Sequence, residues 1–196
     1  MKKYILCLTF LALNVFSLAA QSLSDALNKK DTVAAIKIIK SGYNLDSLDQ
    51  FGSSALMSAC RYSDDPFAAN FLLNHGAKVD FPKSAKGRTP LIIACAYYGG
   101  ISLCSALLNH GAAINAVTTN GETALMFAAS NTKADLVKYL IEKGANPQLK
   151  NKQGLTALDY ATKAVIDDTM KKMMTCCDPD KDKTIAILTA AINTKK

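Results

Sequence analysis

The sequence predicts an all-α solenoid of five helix-turn-helix hairpins, the first and last of them caps, from two combs of glycine and the apolar segments between them. The first comb is Gly42, Gly76, Gly111 and Gly144, at intervals of 34, 35 and 33 residues, and alanine follows the last three. The second is Gly52, Gly87, Gly121 and Gly154, at intervals of 35, 34 and 33. Each glycine of the second comb opens an apolar segment: SSALMSAC, RTPLIIAC, ETALMFAA and LTALDYA. Two combs in phase over more than 100 residues mark stacked repeats.

Residues 118–150 spell one unit most clearly. Leu125, Phe127, Ala128, Val137, Leu140 and Ile141 recur at helical spacing on either side of a polar break, Ser130 to Asp135. That pattern is a helix-turn-helix hairpin. One hairpin cannot bury both its faces, so the neighbouring units supply the missing wall and stability resides in the interfaces between repeats. Ala59, Ala94 and Ala128 are small at equivalent places, which lets adjacent first helices approach. The first comb follows each second helix, where a left-handed C-terminal cap is least costly for glycine. The second comb serves the turn into the next hairpin, so these glycines are structural and not phosphate-cradling.

The period and the two glycine positions resemble the ankyrin repeat, with Thr89-Pro90-Leu91 the best match to that family's Thr-Pro-Leu-His signature. The resemblance implies a non-catalytic scaffold that binds another protein on its concave side.

The elements follow in order. Residues 1–20 join Lys2-Lys3 to an apolar run from Tyr4 to Leu18 and then Ala19-Ala20, the layout of a secretory signal peptide. An apolar run of about 15 is short of the roughly 20 residues that span a bilayer. Cleavage after Ala19 or Ala20 is expected, with delivery to the periplasm or the exterior and no stable membrane insertion afterwards. Residues 22–48 form an N-terminal capping repeat, with Ile36, Ile38 and Ile39 expected against the next hairpin and Asn28, Lys29, Lys30 and Lys37 on the wet side. Repeats at 49–83, 84–117 and 118–150 follow, the first with a helix start at Asp65-Pro66. Residues 151–196 are a C-terminal capping repeat in which a lengthened link, 163–183, precedes a last helix over Thr184 to Ile192.

Charge and composition narrow the class further. The 196 residues carry 23 basic and 16 acidic side chains, a formal +7, and 49% of them are apolar. Without Lys2 and Lys3 the balance is 21 to 16, or +5. The lysines are scattered over helices and loops instead of clustered, which argues against nucleic acid as the partner.

No constellation for catalysis can be assembled, and no cofactor is implied. The two histidines, His75 and His110, occupy the same place in successive repeats, in LLNHGA each time. Equivalent places argue a repeated role at a helix end, where imidazole meets terminal carbonyls. They also stand too far apart to share one metal ion. Asp178, Asp180 and Asp182 imitate the first half of a calcium loop, but Lys183 stands where glycine is needed and Thr189 where the bidentate glutamate belongs. A solvated acidic loop is the expectation. Cys60, Cys95 and Cys104 read as small core residues. Cys176-Cys177 lies in the atypical link, exposed to an oxidising compartment.

Carried onto matching positions, the resemblance implies a binding strip that includes Leu48, Gln50, Phe51, Arg61, Tyr62, Pro82, Lys86, Arg88, Tyr97, Val117, Asn120, Glu122, Asn131 and Lys152. Its candidate contacts are Phe51, Arg61, Tyr62, Lys86, Arg88, Tyr97, Asn120 and Glu122. Aromatic residues and arginine are the composition of interface centres. A monomer that binds a protein partner is expected. Two other roles stay open: an accessory that stabilises an exported enzyme, and a metal- or redox-responsive protein using Cys176, Cys177, Asp178, Asp180 and Asp182.

Overall fold

A computed structural model describes residues 23–49, 52–80, 86–97, 99–163 and 179–193. Helix α1 covers 23–28 and α2 Thr32–Lys40, which together make the first hairpin. The next three are α3 (Ala55–Tyr62) with α4 (Phe67–Asn74), α5 (Pro90–Ala96) with α6 (Ile101–Asn109), and α7 (Ala124–Ser130) with α8 (Ala134–Glu142). The last pairs α9 (Ala157–Lys163) with α10 (Pro179–Asn193). Among the described residues the only extended pairing is an isolated bridge between Val117 and Thr123.

The first helices α3, α5, α7 and α9 each start on a hydroxyl. Ser54, Thr89 and Thr123 are extended, and their side chains accept from the backbone N–H of Met57, Ile92 and Met126. This satisfies one of the donors that every helix start leaves open. Pro90 adds a first-turn residue whose missing N–H costs nothing there. In α9 the Thr156 N–H and hydroxyl both donate to Asp159 Oδ2, at 2.7 Å each.

Two layers result. Helices α3, α5, α7 and α9 pack side by side, and α4, α6 and α8 form a second row behind them. Helix α10 closes the stack against α8 and α9. The core repeats with the sequence: Leu56, Leu91 and Leu125 are buried at one place, Met57, Ile92 and Met126 at the next, and Leu72, Leu107 and Leu140 on the second helices. Removing one such leucine typically costs about 2 to 5 kcal/mol.

All eight comb glycines have positive φ, between 70° and 98°. Successive hairpins are also tied by a hydrogen bond repeated three times. Asp46 Oδ1 accepts from Lys78 N, Asp80 Oδ2 from Ala113 N, and Asn115 Oδ1 from Asn146 N, each at 2.9 Å. The loop tips join as well: Thr119 N donates to the Lys86 carbonyl at 3.1 Å and Lys152 N to the Asn120 carbonyl at 2.9 Å.

Two expectations are corrected. Helix α10 begins at Pro179, five residues before Thr184, so Asp180 and Asp182 lie in its first turn and not in an acidic loop. Proline at the start and carboxylates beside the positive end of the helix dipole both favour that beginning. In the first hairpin Ala35 is fully buried, and Ile36, Ile38 and Ile39 are all half-buried, with Ile38 and Ile39 the two packed against the core. Positions 35, 38 and 39 share one helical face, and 36 lies off it. The expectations for Cys176, Cys177, Asp178, Pro82, Gln50 and residues 1–20 lie outside the described residues.

Candidate functional site

The first-helix layer and the loop tips share one side of the stack, and its polar and aromatic side chains interlock from repeat to repeat. Arg61, in the last turn of α3, lays its guanidinium 5.0 Å from the centre of the Tyr97 ring, just past the end of α5. Arg88, entering α5, donates from Nη1 to the Tyr97 hydroxyl at 3.5 Å and stacks its guanidinium 4.8 Å from the centre of the Phe127 ring on α7. A strip of arginine and aromatic side chains thus crosses three consecutive hairpins. An arginine plane on an aromatic face gains on the order of 0.5 to 2 kcal/mol. It also holds both groups in place.

Further along, Glu122 occupies the place of Arg88 and Tyr160 that of Phe127. The Tyr160 hydroxyl donates to Glu122 Oε1 at 2.9 Å and accepts from Asn151 Nδ2 at 2.9 Å. Burial raises the Tyr160 hydroxyl above the usual phenol range, the Asn151 donor opposes that, and donation to Glu122 adds to it. The Thr118 hydroxyl donates to Glu122 Oε2 at 3.0 Å. Both carboxylate oxygens of Glu122 are therefore engaged within the stack.

The other candidates divide by environment. Tyr62 is 76% exposed at the end of α3. Lys86 and Asn120 are exposed on loop tips, their carbonyls holding the next loop. Leu48 and Val117 are exposed, and Asn131 donates from Nδ2 to the carbonyls of Cys95 and Ala96 at 3.1 Å, closing the end of α5. Phe51 lies outside the described residues. Phe127 and Tyr160 entered the sequence reading as apolar residues of the repeat and not as part of the strip. The available signal was the alignment itself, which puts aromatic residues at the same place in adjacent repeats.

A shallow cavity of about 170 Å³ lies beside this strip, between the first hairpin and α3–α4, and Leu27, Ala59, Tyr62, Asp65 and Phe67 help line it. Lys30 bridges to Asp65 at 2.9 Å across its rim, and that hydrogen bond holds the Asp65 carboxyl below the usual range. Among the described residues no three histidine, cysteine or acidic side chains gather as a metal site. His75 and His110 cap α4 and α6, and His75 Nδ1 lies 2.7 Å from the Phe71 carbonyl.

Comparison with known proteins agrees with this architecture. A family model described as ankyrin repeats (3 copies) matches residues 18–118 and 95–185. The chain is 34% identical over 126 residues to ankyrin repeat protein OPG189 of variola virus, an alignment covering 61% of this chain and 22% of that protein. It is 34% identical over 123 residues to a putative ankyrin repeat-containing protein of Treponema pallidum, covering 63% and 41%. The human NAD-capped RNA hydrolase NUDT12 is 46% identical over 48 residues, which is 24% of this chain and 10% of the hydrolase. The chain thus spans less than half the length of each of these relatives, and the last match amounts to little more than one repeat. With the glycine combs, the two-layer stack and the family match in agreement, the chain belongs to the ankyrin repeat family.

Proposed function

We propose that this protein is an exported, monomeric, non-catalytic scaffold that captures a partner protein on its first-helix side. The observation that carries the reading is the strip Arg61, Tyr97, Arg88 and Phe127, where three hairpins present interlocked arginine and aromatic groups on one surface. Such groups, already ordered, lose little side-chain entropy on binding. Tyr62, Lys86 and Asn120 surround it and complete a rim. The export half rests on the basic start, apolar run and small residues of positions 1–20. No helix among the described residues is long and apolar enough to cross a membrane.

Affinity capture with the exported form, followed by titration of the recovered partner, tests the binding half. Replacing Arg61 and Tyr62 by alanine should weaken binding by about 2 kcal/mol or more per anchor, roughly thirtyfold each. Helical content should stay near that of the parent because both side chains are largely outside the core. Unchanged affinity would move the binding surface elsewhere. Terminal sequencing tests export: a chain beginning at Ala20 or Gln21 supports it, and an intact Met1 in the membrane fraction opposes it.

A further inference from the structure

The hairpin of α5 and α6 holds a buried pair of thiols that partner binding leaves unused. Cys95, next to last in α5, and Cys104, fourth in α6, place their Sγ atoms 3.8 Å apart with both side chains inaccessible to solvent. The equivalent facing positions are Cys60 with Ala69 in the preceding hairpin and Ala129 with Val137 in the following one. A small apolar residue therefore suffices at either place, and the third repeat alone puts sulfur at both. The charge of Lys133 stands over the same hairpin, its Nζ donating to the carbonyls of Tyr97 at 2.6 Å and Gly99 at 3.1 Å, in the turn that joins α5 to α6.

We propose that Cys95 and Cys104 are a redox-active dithiol that closes into a disulfide and staples the two helices of the third repeat. A disulfide bond is about 2.05 Å long, so the sulfur atoms must approach by roughly 1.8 Å, a distance that side-chain rotation and a small shift of two neighbouring helices supply. The electrostatics assign the roles. The hydrogen bond with Cys95, and also the charge of Lys133, hold the Cys104 thiol below its ordinary range, while burial opposes them. The bond to Cys104, together with burial, pushes the Cys95 thiol up.

The oxidant is a disulfide, either a small molecule such as oxidised glutathione or the active-site disulfide of an exchange enzyme. The Cys104 thiolate attacks one sulfur of that bond, forms a mixed disulfide and releases one thiolate, which takes up a proton. Cys95 then loses its proton, attacks Cys104 Sγ and expels the second thiolate. Two protein thiols and one oxidant disulfide become one protein disulfide and two thiols, and two electrons pass to the oxidant. Because both sulfurs are buried, exchange waits on local opening of the hairpin, so it is slower than at an exposed thiol.

The test uses the full chain with Cys176→Ser and Cys177→Ser, incubated with oxidised glutathione, then unfolded and alkylated. Chymotrypsin cuts after Tyr97 and separates the two cysteines. The expected product is a Cys95 peptide joined to a Cys104 peptide, with Cys60 alkylated. Reductant should lower the melting temperature of the oxidised form by about 5 °C. In Cys104→Ala the joined peptide should disappear and the melting temperature should stop responding to reductant. Full alkylation of both cysteines after oxidation, glutathione retained on either, or Cys60 in the joined product would overturn the proposal.

Discussion

Gly87 and Gly111 face the same backbone demand in different surroundings. Their φ angles are +70° and +85°, a region where side chains other than glycine's are strained. A Cβ at Gly111 would meet nothing within 4 Å, whereas one at Gly87 would come within 2.9 Å of Thr119 N in the next loop. Gly111→Ala should therefore cost about 1 kcal/mol, from strain alone. Gly87→Ala should cost more, on the order of 2 to 3 kcal/mol, because the neighbouring backbone must move as well. Urea unfolding of the two variants checks the order, and equal losses would show that the loop yields freely. The combs made both glycines legible as turn residues. They carried no information about Thr119, 32 residues on, because loop contacts depend on how units are stacked and not on how one is spelled. Glu122 shows the same limit: its polar character is plain in the sequence, its bond to Tyr160 is not.

The helices of repeats two to four were legible because local signals agree there. Hydroxyl caps, apolar spacing and terminal glycines all mark the same boundaries. Thr123→Ala should cost about 1 kcal/mol through loss of the cap on Met126 N, read as a lower denaturation midpoint with unchanged slope. Helix α10 was less legible, since its proline and spaced aspartates serve a loop or a helix start equally well. Its contact with α8 includes Lys183 Nζ to Asp135 Oδ1 at 2.8 Å, between exposed side chains. That hydrogen bond, with the charge of Lys183, lowers the Asp135 carboxyl below the usual range, and the same pair raises Lys183. The sign follows for each partner. The contribution from Asp135 is present above the unfolded carboxylate pKa and lost as pH falls through its lowered folded value. That from Lys183 is present below the ordinary lysine pKa and lost as pH rises through its raised folded value. In a carbon-detected NMR titration Asp135 should titrate below the usual carboxylate range, and Lys183→Met should return it to that range. An unmoved Asp135 would mean that the pair does not persist in solution.

In the whole molecule, cohesion is transmitted between nearest neighbours. The bonds from Asp46 to Lys78 N, Asp80 to Ala113 N and Asn115 to Asn146 N each join one hairpin to the next. Asn115 also donates from Nδ2 to the Gly144 carbonyl at 3.3 Å. Asn115→Ala should cost about 1 kcal/mol, and hydrogen exchange should quicken at the junction of the third and fourth repeats while α3 and α4 keep their protection. Uniform quickening would mean that the stack opens as one unit. The joint has a standard form: acceptor from the fifth place after one glycine (counting it as first), donor from the third place after the next. A hairpin cut out between equivalent glycines would carry the matching half of that joint at each end, as a threaded rod carries the same thread at both. The number of hairpins is thereby independent of what any of them displays, and the binding face can be lengthened or shortened by whole units without redesigning a single connection.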